Sequence, residues 1–241
     1  MPASDKKVAL VTGGSGALGG AIVRRLRRDG LEVAFTFNAH EKEAGELAEA
    51  SGAVAFRADL TDRAQVGAMV KGVLGRFGRI DVLVNNAGLT QVMPFALIEE
   101  EDWDRVMAAN LKSMFLVTRE AARGMIARKS GAIVNIGSLA GHRLLEVPVH
   151  YATAKAGVGG FTLALAGELA RYQIRVNSVV PGLLEAGVGR MVPEKEMADY
   201  LKHCAAGRPG RMDEVAEVVA FLASDAAGYV NAQSIFVDGG I

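Results

Sequence analysis

A single cysteine, Cys204, stands among 241 residues, so no disulfide can close within the chain and a secreted, cross-linked scaffold is excluded. An excess of either charge is missing too. The 27 basic residues balance 27 acidic ones, which leaves no surplus to grip a phosphate backbone, and no nucleic-acid partner is expected. No stretch reaches the roughly 18 uninterrupted apolar residues of a membrane helix, and no membrane association is expected. Residues 1–7 have neither the apolar core nor the cleavage site of a signal peptide, so the expected location is cytoplasmic. Proline is scarce, with 6 residues, and no linker, repeat or low-complexity tract divides the chain; one domain over residues 1–241 is expected.

What is present is a regular alternation. Apolar runs of strand length at 8–11, 32–37, 54–58, 81–85, 132–136, 175–180 and 234–237 are separated by segments of helical period near 17–28, 41–51, 62–77, 99–128, 150–171 and 212–224. Strands that are apolar throughout are buried on both faces, and strands that alternate with helices are joined by right-handed crossovers. The expected fold class is therefore α/β: a Rossmann-like, doubly wound parallel sheet of about seven strands with helices on both faces.

The first strand runs into Thr12-Gly13-Gly14-Ser15-Gly16-Ala17-Leu18-Gly19 and then the first helix. Glycines at such a turn let backbone amides approach a pyrophosphate at the helix N-terminus, which makes Gly13, Ser15, Ala17, Leu18 and Gly19 candidate cofactor contacts. The second strand ends Phe35-Thr36-Phe37-Asn38-Ala39-His40, without the Asp or Glu that an NAD-binding unit places on the ribose 2′-hydroxyl. Thr36, Asn38 and His40 can donate hydrogen bonds there and Lys42 can add charge, so the expected cofactor is NADPH (NADP+). Asp59-Leu60, after the third strand, suits an adenine; Asn86-Ala87-Gly88, after the fourth, lets the backbone run beside a ribose. Taken singly each of these segments also reads as a turn or a helix cap, and for Asp59 the cap is the simpler reading.

Tyr151 and Lys155 are four residues apart on one helix and so share a face. Ser138 follows an apolar strand at its carboxyl end, where open α/β sheets bind their ligands. Reducing a ketone adds a hydride to carbon and a proton to oxygen, and a phenol within reach of that oxygen can supply the proton. A cation beside the phenol is expected to lower its pKa.

These segments, with Asn110 and Pro181-Gly182 in the same order, resemble the short-chain dehydrogenase/reductase family over nearly the whole chain, and within it the 3-oxoacyl carrier-protein reductases of fatty-acid and polyketide synthesis. The resemblance implies a catalytic tetrad of Asn110, Ser138, Tyr151 and Lys155, with Asn110 seating a water that links the lysine to solvent. It places Pro181 and Gly182 at the cofactor, with Tyr151 and Lys155 holding it as well. It further implies a substrate carried on acyl carrier protein, docking near Arg128, Lys129 and Arg171 at the active-site entrance, and a homodimer or homotetramer paired through the small-residue helix that carries Tyr151. The chain departs from the family pattern at Ala17, where glycine is usual, and at Gly16, where many carrier-protein reductases have arginine. It also lacks a threonine after Pro181-Gly182, for which backbone groups near residues 184–188 would substitute.

Other features read blandly. His142 and His150 lack the spacing of a metal site, and none is expected, although His150 beside Tyr151 can line the substrate pocket. The run Arg24-Arg25-Leu26-Arg27-Arg28 reads as a solvated helix face. Two other functions compete with carrier-linked reduction: oxidoreduction of a sugar, steroid or other small alcohol, and dinucleotide sensing without turnover. A complete proton path argues against the second. Residues 185–204, the segment that would cover the substrate, carry no decodable motif.

Overall fold

The computed structural model describes residues 6–187, 192 and 194–241. Seven parallel strands form one sheet in the order β3-β2-β1-β4-β5-β6-β7, with β1 Val8–Val11, β2 Glu32–Phe37, β3 Val54–Arg57, β4 Val82–Asn85, β5 Gly131–Ile136, β6 Ile174–Pro181 and β7 Ser234–Val237. The helices are α1 Ala17–Arg28, α2 Glu41–Ser51, α3 Arg63–Phe77, α4 Glu100–Met107, α5 Ser113–Arg128, α6 Val149–Leu169, α7 Glu194–His203 and α8 Met212–Ala223. This is the doubly wound architecture expected from the alternation of elements.

Each strand divides its side chains between two cores, because successive residues point to opposite faces. Ala9, Val11, Val33, Phe35, Val82 and Val84 pack under α1, α2 and α8, while Leu10, Ala34, Leu83, Ile133 and Val176 pack under α3, α5 and α6. One chain of buried amides crosses the second core. The Asn85 amide donates to Asn135 Oδ1 at 2.9 Å and to Thr118 Oγ1 at 2.8 Å, and the Asn135 amide donates to Thr162 Oγ1 at 3.0 Å.

The helix expected over 99–128 is interrupted. Ala108–Lys112 winds as a π turn between α4 and α5, with Asn110 at its centre. Insertions of this kind are rare and favour functional sites. Helix α7 and a 3-10 turn at Phe95–Leu97 were not expected from the sequence.

Parallel strands put every strand start at one edge of the sheet and every strand end at the other. Lys129 lies two residues ahead of β5, Arg171 lies in the 3-10 turn before β6, and Arg128 donates to the Ile80 carbonyl just ahead of β4. All three basic residues therefore lie at the amino-terminal edge, opposite the strand ends where ligands bind, and the expectation that they flank the entrance is not met within one chain. The arginine run is also less free than expected: Arg25 pairs with Asp29 and, at 2.7 Å, with Glu217, while Arg27 holds the Leu31 and Ser51 carbonyls and Glu32.

Candidate active site

A cavity of about 1370 Å³ opens along the carboxyl edge of the strands. Its lining includes the candidate cofactor and catalytic residues Gly13, Ser15, Ala17, Leu18 and Gly19; Thr36 and Asn38; Asp59 and Leu60; Asn86, Ala87 and Gly88; Asn110; Ser138; Tyr151 and Lys155; Pro181 and Gly182.

The glycine-rich turn is held from three sides. The Gly13 amide donates to Thr36 Oγ1 at 3.0 Å and the Gly14 amide to the Thr36 carbonyl at 2.8 Å. Thr12 Oγ1 accepts from the Asn86 and Ala87 amides, both at 2.9 Å. Gly13 has φ +65°, a left-handed conformation open to glycine at little cost, and a Cβ on Gly19 would collide with the Gly13 carbonyl. Helix α1 then begins with neither a capping side chain nor an acidic residue in its first turn, so its N-terminal amides face the cavity as an anion cradle. Gly19→Ala is expected to weaken dinucleotide binding at least about tenfold and to lower Tm, since the turn must move to admit the methyl; fluorescence titration and thermal melting measure both.

Several expectations shift here. Thr36 is buried and its hydroxyl accepts from the Gly13 amide, so it braces the turn as well as lining the cavity. Lys42 stands clear of the cavity, 3.9 Å from Glu46. The cap of α3 is Asp62, which accepts from the Ala64 and Gln65 amides, whereas one oxygen of Asp59 closes a turn with Thr61 and the residue lines the cavity. Asn38, Ala39 and His40 are the polar end of β2 exposed to the cavity, with no carboxylate among them.

At the opposite end of the cavity, Asn110 is completely buried. Its amide donates to the Leu89 and Val106 carbonyls at 2.7 and 2.9 Å, and its Oδ1 has no partner among the described residues. A Cβ at Gly88 would lie 2.5 Å from that oxygen and 3.6 Å from Lys155 Nζ, so the unsatisfied acceptor and the ammonium share one small space. Lys155 Nζ donates to the Ile136 carbonyl at 3.0 Å, and burial lowers its pKa to about 8. Burial pushes the Tyr151 phenol above its ordinary value, while a hydrogen bond with Ser138 draws it back. The depression expected from the lysine does not set the direction: burial is the larger influence and the Ser138 bond the opposing one, so Tyr151 stays protonated at neutral pH.

His150 does not line the pocket. It is fully buried, with Nδ1 accepting from the Tyr151 amide. His142 packs edge-on against Phe236, with ring centroids 5.4 Å apart. Cys204 is buried with its thiol directed at main-chain carbonyls of Arg208, Asp238 and Gly239. Among the described residues no group of three or more His, Cys, Asp or Glu could hold a metal ion, and no helix is long and apolar enough to cross a membrane.

The sequence reading missed the walls of the substrate side. Leu89, Leu144, Leu145, Val147 and Leu184 make it apolar, Arg105 of α4 reaches it, and Tyr200 of α7 closes one flank. The Leu183 amide donates to the Tyr200 hydroxyl at 3.0 Å, which anchors the loop after Pro181-Gly182. No motif marks Tyr200 itself, although it lies within residues 185–204, the segment expected to cover the substrate. Val188, part of the loop expected to face the nicotinamide, lies outside the described residues.

A strand-end cavity with a glycine-rich turn beneath one half and a serine, tyrosine and lysine beneath the other defines a dinucleotide-dependent oxidoreductase. A family model described as enoyl-(acyl carrier protein) reductase matches residues 14–241. The 3-oxoacyl-[acyl-carrier-protein] reductase FabG of Thermotoga maritima is 39% identical over 98% of both chains; those of Escherichia coli K12 and Staphylococcus aureus Mu50 are 36% and 37% identical, again over 98% of both. The chain belongs to the short-chain dehydrogenase/reductase family and is an oxidoreductase that uses NAD(P)H.

Proposed function

We propose that the protein reduces a 3-oxoacyl thioester, carried on acyl carrier protein, to the 3-hydroxyacyl thioester with NADPH, in the fatty-acid or polyketide pathways of the cytoplasm. The single observation that carries this reading is the pairing of Ser138 and a protonated Tyr151 above the Lys155 ammonium in a cavity with an apolar arm. That arrangement suits a carbonyl oxygen that must receive a proton, with an acyl chain lying against the leucines.

When bound, the nicotinamide supplies the hydride to the carbonyl carbon. Ser138 orients the oxygen and Tyr151 donates its proton to it. Lys155 steadies the resulting phenolate and holds the ribose. Asn110, with its free Oδ1 beside the ammonium, seats the water that returns a proton to the lysine and tyrosine. A dinucleotide fits the cradle on three counts: the uncapped α1, the glycines at which a Cβ would collide, and that buried acceptor.

The NADPH preference rests on Asn38 and His40 at the end of β2 and on the absence of a carboxylate there. Gly16 adds a handle. A Cβ at Gly16 meets only the Gly13 carbonyl, at 3.4 Å, so a longer side chain has room. Gly16→Arg is expected to tighten NADPH about tenfold relative to NADH, and Asn38→Asp to shift preference toward NADH by a similar factor, as a carboxylate repels the 2′-phosphate. Paired kcat/KM measurements with both cofactors read this out; unchanged ratios would place phosphate recognition elsewhere.

The deciding assay offers 3-oxoacyl thioesters on carrier protein and on a small thiol, with simple sugars and steroid ketones alongside. Strong activity only on the latter would overturn the carrier assignment. We further propose a homodimer or homotetramer, supported by exposed apolar side chains: Phe115 of α5, Leu163 of α6, Phe221 of α8 and Phe236 of the edge strand β7.

A further inference from the structure

Helix α6 carries Tyr151 in its first turn, and that turn lacks every ordinary cap. Its N-cap is Pro148, which offers no side-chain acceptor, and no acidic residue lies in the first turn. The first bond of the helix runs from the Ala152 amide to the Pro148 carbonyl at 3.0 Å, so the Tyr151 amide is one of the donors that a helix start leaves unpaired. His150 satisfies it from inside the helix: its Nδ1 accepts from the Tyr151 amide at 2.9 Å, with the ring completely buried.

A neutral ring whose Nδ1 accepts must carry its hydrogen on Nε2. That Nε2 is buried and has no partner among the described residues. An unsatisfied buried donor is unfavourable, and an apolar side chain of similar size would avoid it. The acceptor on the other side of the ring is what such a replacement would forfeit.

We propose that His150 is a positioning residue for the reaction: its Nδ1 caps the backbone amide of Tyr151 and so fixes the phenol against Ser138 and the substrate oxygen. This rests on the reading of Tyr151 as the proton donor. A loose helix start moves the phenol relative to the carbonyl, and displacement of a reacting group by about 1 Å can cost a hundredfold in rate. The cofactor cradle lies under α1, on the far side of the site, and is untouched.

The test uses His150→Leu, which fills the space without an acceptor, and His150→Asn, whose Oδ1 is carried on Cγ as the ring Nδ1 is and can accept from the same amide. Expected for His150→Leu is a kcat lower by about 10- to 100-fold, with the Kd for NADPH and the KM for a 3-oxoacyl thioester within about threefold of the parent. His150→Asn should regain kcat to within about threefold. Hydrogen exchange gives a readout free of turnover: the Tyr151 amide should exchange at least about tenfold faster in His150→Leu and be protected again in His150→Asn, with amides from Ala156 onward unchanged in both. Parental kcat and an unchanged Tyr151 amide in folded His150→Leu would overturn the proposal, as would equal losses in the two variants, which would make the ring a packing element. Retained activity in Tyr151→Phe would instead overturn the proton-donor reading, and exchange at the amide would still report whether His150 caps it.

Discussion

Tyr151→Phe should lower turnover on 3-oxoacyl thioesters by at least about a hundredfold, because general acid catalysis by a positioned side chain contributes 10²–10⁴-fold. The substitution removes one hydroxyl and leaves the ring. The fold and the affinity for NADPH should therefore stay within a few-fold of the parent, so that the loss appears in kcat and in kcat/KM together. The raised pKa of the phenol fits this role in the direction of reduction, since the group must arrive with its proton at neutral pH. Steady-state kinetics on protein checked by melting would decide it. Near-parental turnover in the folded variant would mean that the proton comes from elsewhere.

Lys155→Met should have the second large effect, with opposite signs for activity and stability. Removing the ammonium withdraws the cation that steadies the phenolate and holds the ribose, so kcat/KM should fall at least about a hundredfold and the Kd for NADPH should rise. The same ammonium is a burden on the cofactor-free fold. Its folded pKa of about 8 lies below the ordinary value of 10.5, so the folded chain is charged against its environment at neutral pH. The sign follows from proton linkage. The penalty is fully present below pH 8 and is relieved as pH rises from about 8 towards 10.5, where the unfolded chain still binds the proton that the folded chain has released. The shift corresponds to about 3 kcal/mol at most, and the Ile136 carbonyl loses its donor in the variant, so a net gain of about 1–2 kcal/mol and a Tm higher by roughly 3–6 °C at pH 7 are expected. The gap in Tm between variant and parent should narrow as the pH is raised to 9.5. A constant gap, or a variant that melts lower, would count against a desolvated ammonium. In the parent, kcat/KM should decline above about pH 8 as the lysine discharges.

The sheet was legible because its strands are apolar on both faces and short, so that their number and order along the chain followed from the runs alone. The glycine-rich turn, the Tyr151 and Lys155 pair and Ser138 were legible because each sits at a fixed offset from an element end. What failed to show were properties decided by packing between distant segments. The π turn at Asn110 adds a residue to a helical register without changing its apolar pattern. Whether Tyr151 gains or loses acidity depends on how deeply α6 is covered, and burial outweighs the hydrogen bond with Ser138. Thr36 and His150 look available in a linear reading, yet one braces a turn and the other faces its own backbone. Arg128, Lys129 and Arg171 fall at the far edge of their own chain, because sequence proximity to a functional strand says nothing about which end of that strand a residue occupies.

The buried amides of Asn85 and Asn135 act as a ruler. β4 and β5 are buried on both faces and apolar apart from Asn85 and Asn135, so hydrophobicity alone would tolerate a slip of two residues between them without exposing a single core side chain. The two asparagines are cross-strand partners, and their bonds to each other, to Thr118 and to Thr162 hold only in the native alignment. A slip of two residues would strand these carboxamides in the core and slide Ser138 about 6–7 Å along Asn86 and Gly88. The distance from the ribose strand to the substrate oxygen is thus calibrated by polar groups that never touch either ligand.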